Sequence, residues 1–90
     1  MHAVVMRSAI HDFEQSRKNI AERGVPGVRH APGFIKGYWF RLDEMTGGAT
    51  RLFESEEAAV AAVERLKQNL PAGSAATLER IEIGEVVAEA

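Results

Sequence analysis

The sequence predicts a single-domain α+β fold in which four strands and two helices follow the order βαββαβ. Three observations support this. Residues 32–42 hold most of the aromatic side chains and have the composition of a strand. Two further segments carry apolar residues at the 3.6-residue period of an amphipathic helix. Strand-like segments near both ends complete the pattern, and no linker interrupts it. We therefore expect one domain over residues 1–90.

The first strand is predicted over residues 3–10, with Val4, Met6 and Ile10 on one face. In the helix that follows, Asp12 occupies the N-cap position and Gln15 gives capping-box spacing. Five residues of this helix share one stripe: Phe13, Ile20, Gly24, Val28 and Ala31. Pro26 removes one helical hydrogen bond, yet the stripe keeps its phase beyond it. We therefore expect a kinked helix reaching about residue 29.

The aromatic strand has apolar groups on both faces. Alternation places four residues on one side, namely Phe34, Tyr38, Phe40 and Leu42. On the other side it places Ile35, Trp39 and the stem of Arg41. Residues 46–48, Thr-Gly-Gly, are predicted as the following hairpin turn, because glycine readily adopts positive φ. A short strand over residues 49–54 should come next.

Ser55 is expected to cap the second helix, whose first turn carries two glutamates that favour the helix dipole. One face of this helix carries Ala59, Val63, Leu66 and Leu70. Residues 71–74, Pro-Ala-Gly-Ser, should end it. The last strand is predicted from residue 76 to about residue 87, with a bulge or bend at Gly84.

The element order is that of the split βαβ, or ferredoxin-like, motif. This motif packs both helices on one face of a four-stranded antiparallel sheet and leaves the other face open. Because the aromatic strand would expose apolar side chains on the open face, that face needs a cover. We expect the cover to be a second copy of the chain, which makes the protein a homodimer.

Composition argues against several classes of function. Eleven basic and thirteen acidic residues give a formal charge of −2, and without a basic patch we expect no nucleic-acid partner. The chain has no cysteine, and its histidines are too scattered for a metal site, so no metal is expected. We expect no signal peptide, no membrane span and therefore a cytoplasmic protein. No cofactor is expected either.

Three groups of residues stand out together: Pro32-Gly33-Phe34, Gly37-Tyr38-Trp39 and residues 53–59, Phe-Glu-Ser-Glu-Glu-Ala-Ala. They resemble the dimeric α/β-barrel superfamily, and within it the proteins related to antibiotic biosynthesis monooxygenases. The resemblance covers nearly the whole chain, and its motifs mark a strand start, a strand and a helix cap. It implies a homodimer whose sheets pack face to face, often with a small ligand cavity. Superfamily members include cofactor-free oxygenases, haem-degrading enzymes, muconolactone isomerases and proteins without an assigned activity.

Two functions from different classes follow from this resemblance. The first is a small-molecule-binding or accessory protein with a cavity between the sheet and either its partner or the helices. The second is a cofactor-independent monooxygenase acting on an aromatic or polyketide-like substrate. Such oxygenases use a cavity asparagine and tryptophan. Trp39 is the only tryptophan here, whereas Asn19 and Asn69 are expected on helices away from the apolar stripes. A third possibility is a structural module that assembles through its sheet.

Two kinds of side chain are candidates for the ligand site. Trp39 and Tyr38 would form an aromatic wall for a flat ligand; alternatively, one faces the helices and the other fills the dimer interface. His30 has the intrinsic pKa of a general base at a cavity mouth, but a solvent-exposed histidine near a helix end explains it as well.

Arginines on the hairpin strands form the remaining candidate site. If the hairpin is centred on residue 46, Arg41 lies opposite Arg51 and Trp39 lies opposite Phe53 on one face. Opposed like charges are unfavourable and call for a carboxylate.

That carboxylate comes from Glu79 or Glu82 on the last strand, or from a ligand; alternatively, intersubunit salt bridges or solvent satisfy the arginines. A ligand is therefore expected to be mainly apolar and planar, with an anionic group near the arginine pair.

Overall fold

The computed structural model describes residues 1–68 and 75–90. Within these residues four antiparallel strands form one sheet in the order β2-β3-β1-β4. The strands are β1 (His2–Ile10), β2 (Phe34–Asp43), β3 (Thr46–Phe53) and β4 (Ala76–Glu85). The helices are α1 (Phe13–Asn19), α2 (Val25–Arg29) and α3 (Glu56–Gln68), and a π-helical turn, Ile20–Gly24, joins α1 to α2. The predicted α+β, ferredoxin-like order is confirmed.

The core lies between one face of the sheet and the helices, which we call the helix face. Val4 of β1 and Phe53 of β3 form its floor, while Val28 of α2 and two residues of α3, Ala59 and Val63, cover them. Both helical segments contribute to this single cluster, so no helix of the described residues covers the opposite face of the sheet. We call that opposite face the open face.

The first helical segment runs from residue 13 to residue 29 without a break, as predicted. The Asp12 carboxylate accepts a hydrogen bond from the Gln15 backbone N–H at 3.0 Å, which confirms the N-cap. Pro26 has no N–H to donate to the preceding turn. Ahead of it, the Val25 N–H donates to the carbonyl of Ile20, five residues back, and the helix widens into the π-helical turn.

The predicted hairpin turn at residues 46–48 is wrong. The turn consists of Glu44 and Met45, and β3 already begins at residue 46. The Asp43 carboxylate accepts a hydrogen bond from the Met45 N–H at 2.9 Å, so a side chain closes this tight turn. Gly48 lies within β3 instead, under the ring of Phe40, where an added Cβ would overlap the ring carbons.

The earlier turn also changes the register of the hairpin. Arg51 pairs with Gly37, and Arg41 pairs with Gly47. Trp39 pairs with Ala49, so neither predicted pair, Arg41 with Arg51 or Trp39 with Phe53, is formed. The register differs from the prediction by an even number of residues, which keeps these side chains on their expected common face. That face is the helix face.

A bulge near the start of β2 corrects another prediction. Phe34 pairs with Phe53, while Lys36 pairs with the preceding residue of β3, so Ile35 is an extra residue in the ladder. Phe34 therefore belongs to the helix face, with its ring 5.8 Å from that of Phe53 in a T-shaped arrangement. Tyr38 remains on the open face, so the expected grouping of Phe34 with Tyr38 is wrong.

The last strand is regular at Gly84, where a bulge or bend was expected. Gly84 pairs with Ala3 in register, and the irregularity of this ladder lies opposite Arg7 and Ser8 instead. The strand alternation therefore changes phase in the middle of β4 rather than near its end.

The second helix agrees with the prediction. The Ser55 hydroxyl accepts a hydrogen bond from the Ala58 N–H at 3.1 Å and caps α3. Ala59 and Val63 are buried and Leu66 is half-buried. Leu70 and the predicted stop at 71–74 lie outside the described residues.

Across residues 1–68 and 75–90, no helix combines the length and apolar character that crossing a bilayer requires.

Candidate functional site

A cavity of about 840 Å³ lies between the sheet and the helices. Its floor is the helix face of the sheet, including Met6, Trp39, Ala49 and Arg51. The first helical segment and α3 form the remaining walls with mostly apolar side chains. The cavity was expected either between the sheet and a partner chain or between the sheet and the helices. The structure has a cavity between the sheet and the helices. Pockets of roughly 300–1,000 Å³ are typical of sites for organic molecules.

Gly37 places the single tryptophan within this cavity. A Cβ on Gly37 would lie 3.3 Å from two carbons of the Trp39 ring, so the indole folds back along β2 over the glycine. Arg51 is the cross-strand partner of Gly37. The indole therefore reaches Arg51, with 5.1 Å between the guanidinium carbon and the ring centre, within cation–π range.

Arg51 is a buried cation, with only 8% of its surface exposed. Its Nε is fully buried and has no hydrogen-bond partner among the described residues. Burial lowers the pKa of this guanidinium from its ordinary value. An arginine nevertheless keeps its proton at neutral pH, so the site holds a positive charge. Buried charges are normally paired, and an unpaired one destabilises the fold.

Arg41 also lines the cavity, but its guanidinium is already engaged. Its Nε donates to the carbonyl of Asp43 and its Nη2 to the carbonyl of Glu44, each at 3.2 Å. Its guanidinium carbon lies 3.8 Å from the centre of the Phe13 ring. Arg41 therefore ties the hairpin turn to the start of α1, whereas the Nε of Arg51 finds no acceptor in residues 1–68 or 75–90.

The lining of the cavity is strongly biased in charge. Besides Arg51, four exposed arginines border it: Arg17, Arg23, Arg41 and Arg65. No aspartate or glutamate is among the described lining residues.

The two glutamates considered as counter-ions are engaged elsewhere. Glu79 lies 3.9 Å from Arg7, and Glu82 pairs with Arg80. Glu82 is the cross-strand partner of Val5, which places it on the open face. The expected internal carboxylate is therefore not supplied by either residue.

Only three of the six predicted site residues meet at the cavity, namely Trp39, Arg41 and Arg51. Tyr38 is 59% exposed and lies on the open face, because it alternates with Trp39 along β2. Phe53 is fully buried in the core. His30 is exposed at the end of α2 and is not a lining residue.

One residue set aside by the sequence reasoning does reach the cavity. Asn19 is a half-buried lining residue, and its side-chain oxygen accepts a hydrogen bond from the Gln15 side chain at 2.8 Å. The expectation that it lies away from the apolar stripe is wrong. The sequence does contain a signal for this position. Ser16, Asn19 and Arg23 are spaced by three and four residues, so they form a polar row next to the apolar stripe of the helix.

Two of the three histidines contact residues far along the chain. His2 lies 3.5 Å from Glu56, and His11 shares a 2.7 Å hydrogen bond with Thr77. In the part of the chain that the structure describes, no three His, Asp or Glu side chains are grouped as metal ligands.

Fold and cavity together define an α+β protein with a ferredoxin-like layout and an arginine-lined pocket under its helices. Comparisons of the chain with protein-family models, with curated proteins and with solved structures found no match. Membership of the dimeric α/β-barrel superfamily therefore stays a prediction from the sequence resemblance.

Proposed function

We propose that the protein is a homodimeric small-molecule-binding protein similar to the antibiotic biosynthesis monooxygenase-like group. The cavity of about 840 Å³ between sheet and helices carries this proposal. Its volume lies within the range typical of sites for organic molecules, and its walls are mainly apolar. The exposed part of the Trp39 indole provides a flat surface for such a ligand, which is therefore mainly apolar and planar.

The proposed homodimer forms through the open face of the sheet. Tyr38, Phe40 and Val5 are exposed there by 59%, 44% and 48%. A group of exposed apolar side chains on one face of a sheet is typical of an interaction surface. Since the cavity opens on the other side of the sheet, a partner on the open face leaves the cavity accessible.

Binding is tested by quenching of the single tryptophan with planar probes such as menadione and methyl 2-naphthoate. The expected result is saturable quenching with the wild-type protein. Ala49→Leu, which adds three carbons to the cavity floor, should weaken it at least about tenfold. Thr50→Leu is the matched control, because the neighbouring residue faces the other side of the sheet. The proposal fails if no probe quenches saturably, or if both variants act alike.

A cofactor-independent monooxygenase is the alternative function, and one observation favours it. Asn19 and Trp39 line the same cavity, and these residue types are the ones that the resemblance implies for oxygenases. The test is oxygen uptake with a bound polyphenol and no added cofactor. Asn19→Ala should abolish uptake while leaving tryptophan quenching intact. Uptake that persists in Asn19→Ala at the wild-type rate would contradict this assignment.

A further inference from the structure

We propose that the cavity recognises amphipathic monocarboxylic acids, with the carboxylate of the ligand bound to Arg51. This inference rests on the proposed function, since it names the chemical class of the small molecule. Arg51 binds the acid group of the ligand, and the aromatic and aliphatic walls of the cavity contact its apolar body.

The first support is the unsatisfied donor of Arg51. The residue is 8% exposed, and its buried Nε has no hydrogen-bond partner among residues 1–68 and 75–90. A buried donor without an acceptor is costly, and the cost is larger on a cation. A carboxylate pairs with a guanidinium through charge-assisted hydrogen bonds, which makes it the matching partner for this cation.

The second support is the absence of an internal counter-ion. The described residues lining the cavity include five arginines and no carboxylate. Glu79 and Glu82 lie near Arg7 and Arg80 instead. The negative charge that would neutralise Arg51 must therefore come from outside the cavity lining.

The third support is the position of Trp39. Its ring centre lies 5.1 Å from the guanidinium carbon of Arg51, which restrains the guanidinium on one side. A planar ligand that places its acid group on Arg51 extends its rings along the same cavity wall. Arg51 and Trp39 therefore select together for a molecule with an acid at one end and an apolar body.

Charge also distinguishes carboxylates from other ions. Arg51 is the only buried arginine among the described lining residues, so it neutralises one negative charge at depth. A dianionic phosphate would bring a second charge into the mainly apolar interior, where desolvation is unfavourable. Cations are repelled by every charged lining residue. Exposed arginines such as Arg17 and Arg23 raise the local concentration of anions at the opening.

The experiment compares 2-naphthoate, methyl 2-naphthoate and 2-naphthyl phosphate by titration calorimetry at pH 8. For the wild-type protein we expect the acid to bind at least about tenfold more tightly than the ester or the phosphate. Arg51→Met should reduce the affinity for the acid at least about tenfold and change that for the ester less than threefold. Arg29→Met, at an exposed position that does not line the cavity, is the control and should change neither.

The outcomes separate the two proposals. Equal binding of acid and ester, with equal losses in Arg51→Met, overturns the carboxylate site and leaves the small-molecule proposal standing. Tighter binding of the phosphate overturns the monocarboxylate class. Binding of none of the three overturns the small-molecule proposal and the carboxylate site with it.

A measurement on the wild-type protein keeps the test valid should Arg51→Met fail to fold. In ¹⁵N spectra the Arg51 Nε–Hε resonance should move with 2-naphthoate and stay in place with the ester. A resonance unmoved by saturating acid would overturn the site.

Discussion

Arg41 and Phe13 are in direct contact: the guanidinium carbon of Arg41 lies 3.8 Å from the centre of the Phe13 ring. The same guanidinium donates hydrogen bonds to two carbonyls at the hairpin turn. A single side chain thus joins the β2–β3 turn to the first residue of α1. The contact holds one end of the helical segment that covers the cavity.

We expect the Phe13–Arg41 contact to contribute about 0.5–1 kcal/mol to the free energy of unfolding, the usual range for an exposed cation–π pair. A double-mutant cycle of Phe13→Leu and Arg41→Met, followed by urea unfolding, measures the coupling. Leucine keeps an apolar group at position 13, so the coupling isolates the ring. Additive effects of the two substitutions would show that the contact does not stabilise the protein.

Arg51→Met should make the unliganded protein more stable, by about 1–2 kcal/mol in urea unfolding. The substitution removes a buried cation whose Nε has no hydrogen-bond partner in the described part of the chain, and methionine fills a similar volume. The lost contact with Trp39 reduces the gain without reversing it. Arg29→Met provides the baseline for removing an exposed charge. Destabilisation beyond that baseline would mean that Arg51 supports the fold instead of serving a ligand.

Asp43 should give the protein an acid-sensitive hairpin turn. The Met45 N–H, and then the Thr46 hydroxyl, lower the pKa of its carboxyl from 3.8. Because the folded-state pKa is the lower one, the stabilisation is complete above the unfolded pKa and is lost as pH falls through the folded value. Asp43→Asn keeps an acceptor but cannot titrate. Urea unfolding between pH 5 and pH 2.5 should therefore show a shallower loss of stability in the variant, and parallel curves would contradict the assignment.

Tyr38→Glu should convert the proposed dimer into a monomer. Tyr38 is 59% exposed on the open face, and a carboxylate placed there would face its symmetry mate or an apolar neighbour across the interface. Sedimentation at micromolar concentration should give twice the chain mass for the wild type and the chain mass for the variant. Probe binding should survive, since the cavity lies on the helix face. A wild-type monomer would rule out the dimer.

The sequence was enough to predict that the site residues share one face of the sheet, but not which residues they pair with on the neighbouring strand. Alternation fixes Trp39, Arg41 and Arg51 on one side for any even shift of register, and this placement is confirmed. The register itself depends on the position of the turn. The glycines predict a turn at residues 46–48, whereas the Asp43 side chain closes an earlier turn by a local hydrogen bond.

Two local irregularities explain the remaining differences. The bulge at Ile35 moves Phe34 to the helix face, and no glycine or proline at residue 35 marks it. The π-helical turn begins directly after Asn19, so the regular 3.6-residue period does not hold across the whole segment. The burial of Arg51 with no carboxylate among the described lining residues follows from tertiary packing, which a single sequence does not reveal.

The bulge at Ile35 lies on an edge of the sheet and affects whether another strand can pair with that edge. β2 is an outermost strand of the described sheet, and the backbone N–H and C=O groups on its outer side are a template for adding a strand from another chain. The extra residue interrupts the even spacing of these groups, and the exposed Lys36 beside it adds a charge. Strand-by-strand growth into fibrils is thereby disfavoured along this border.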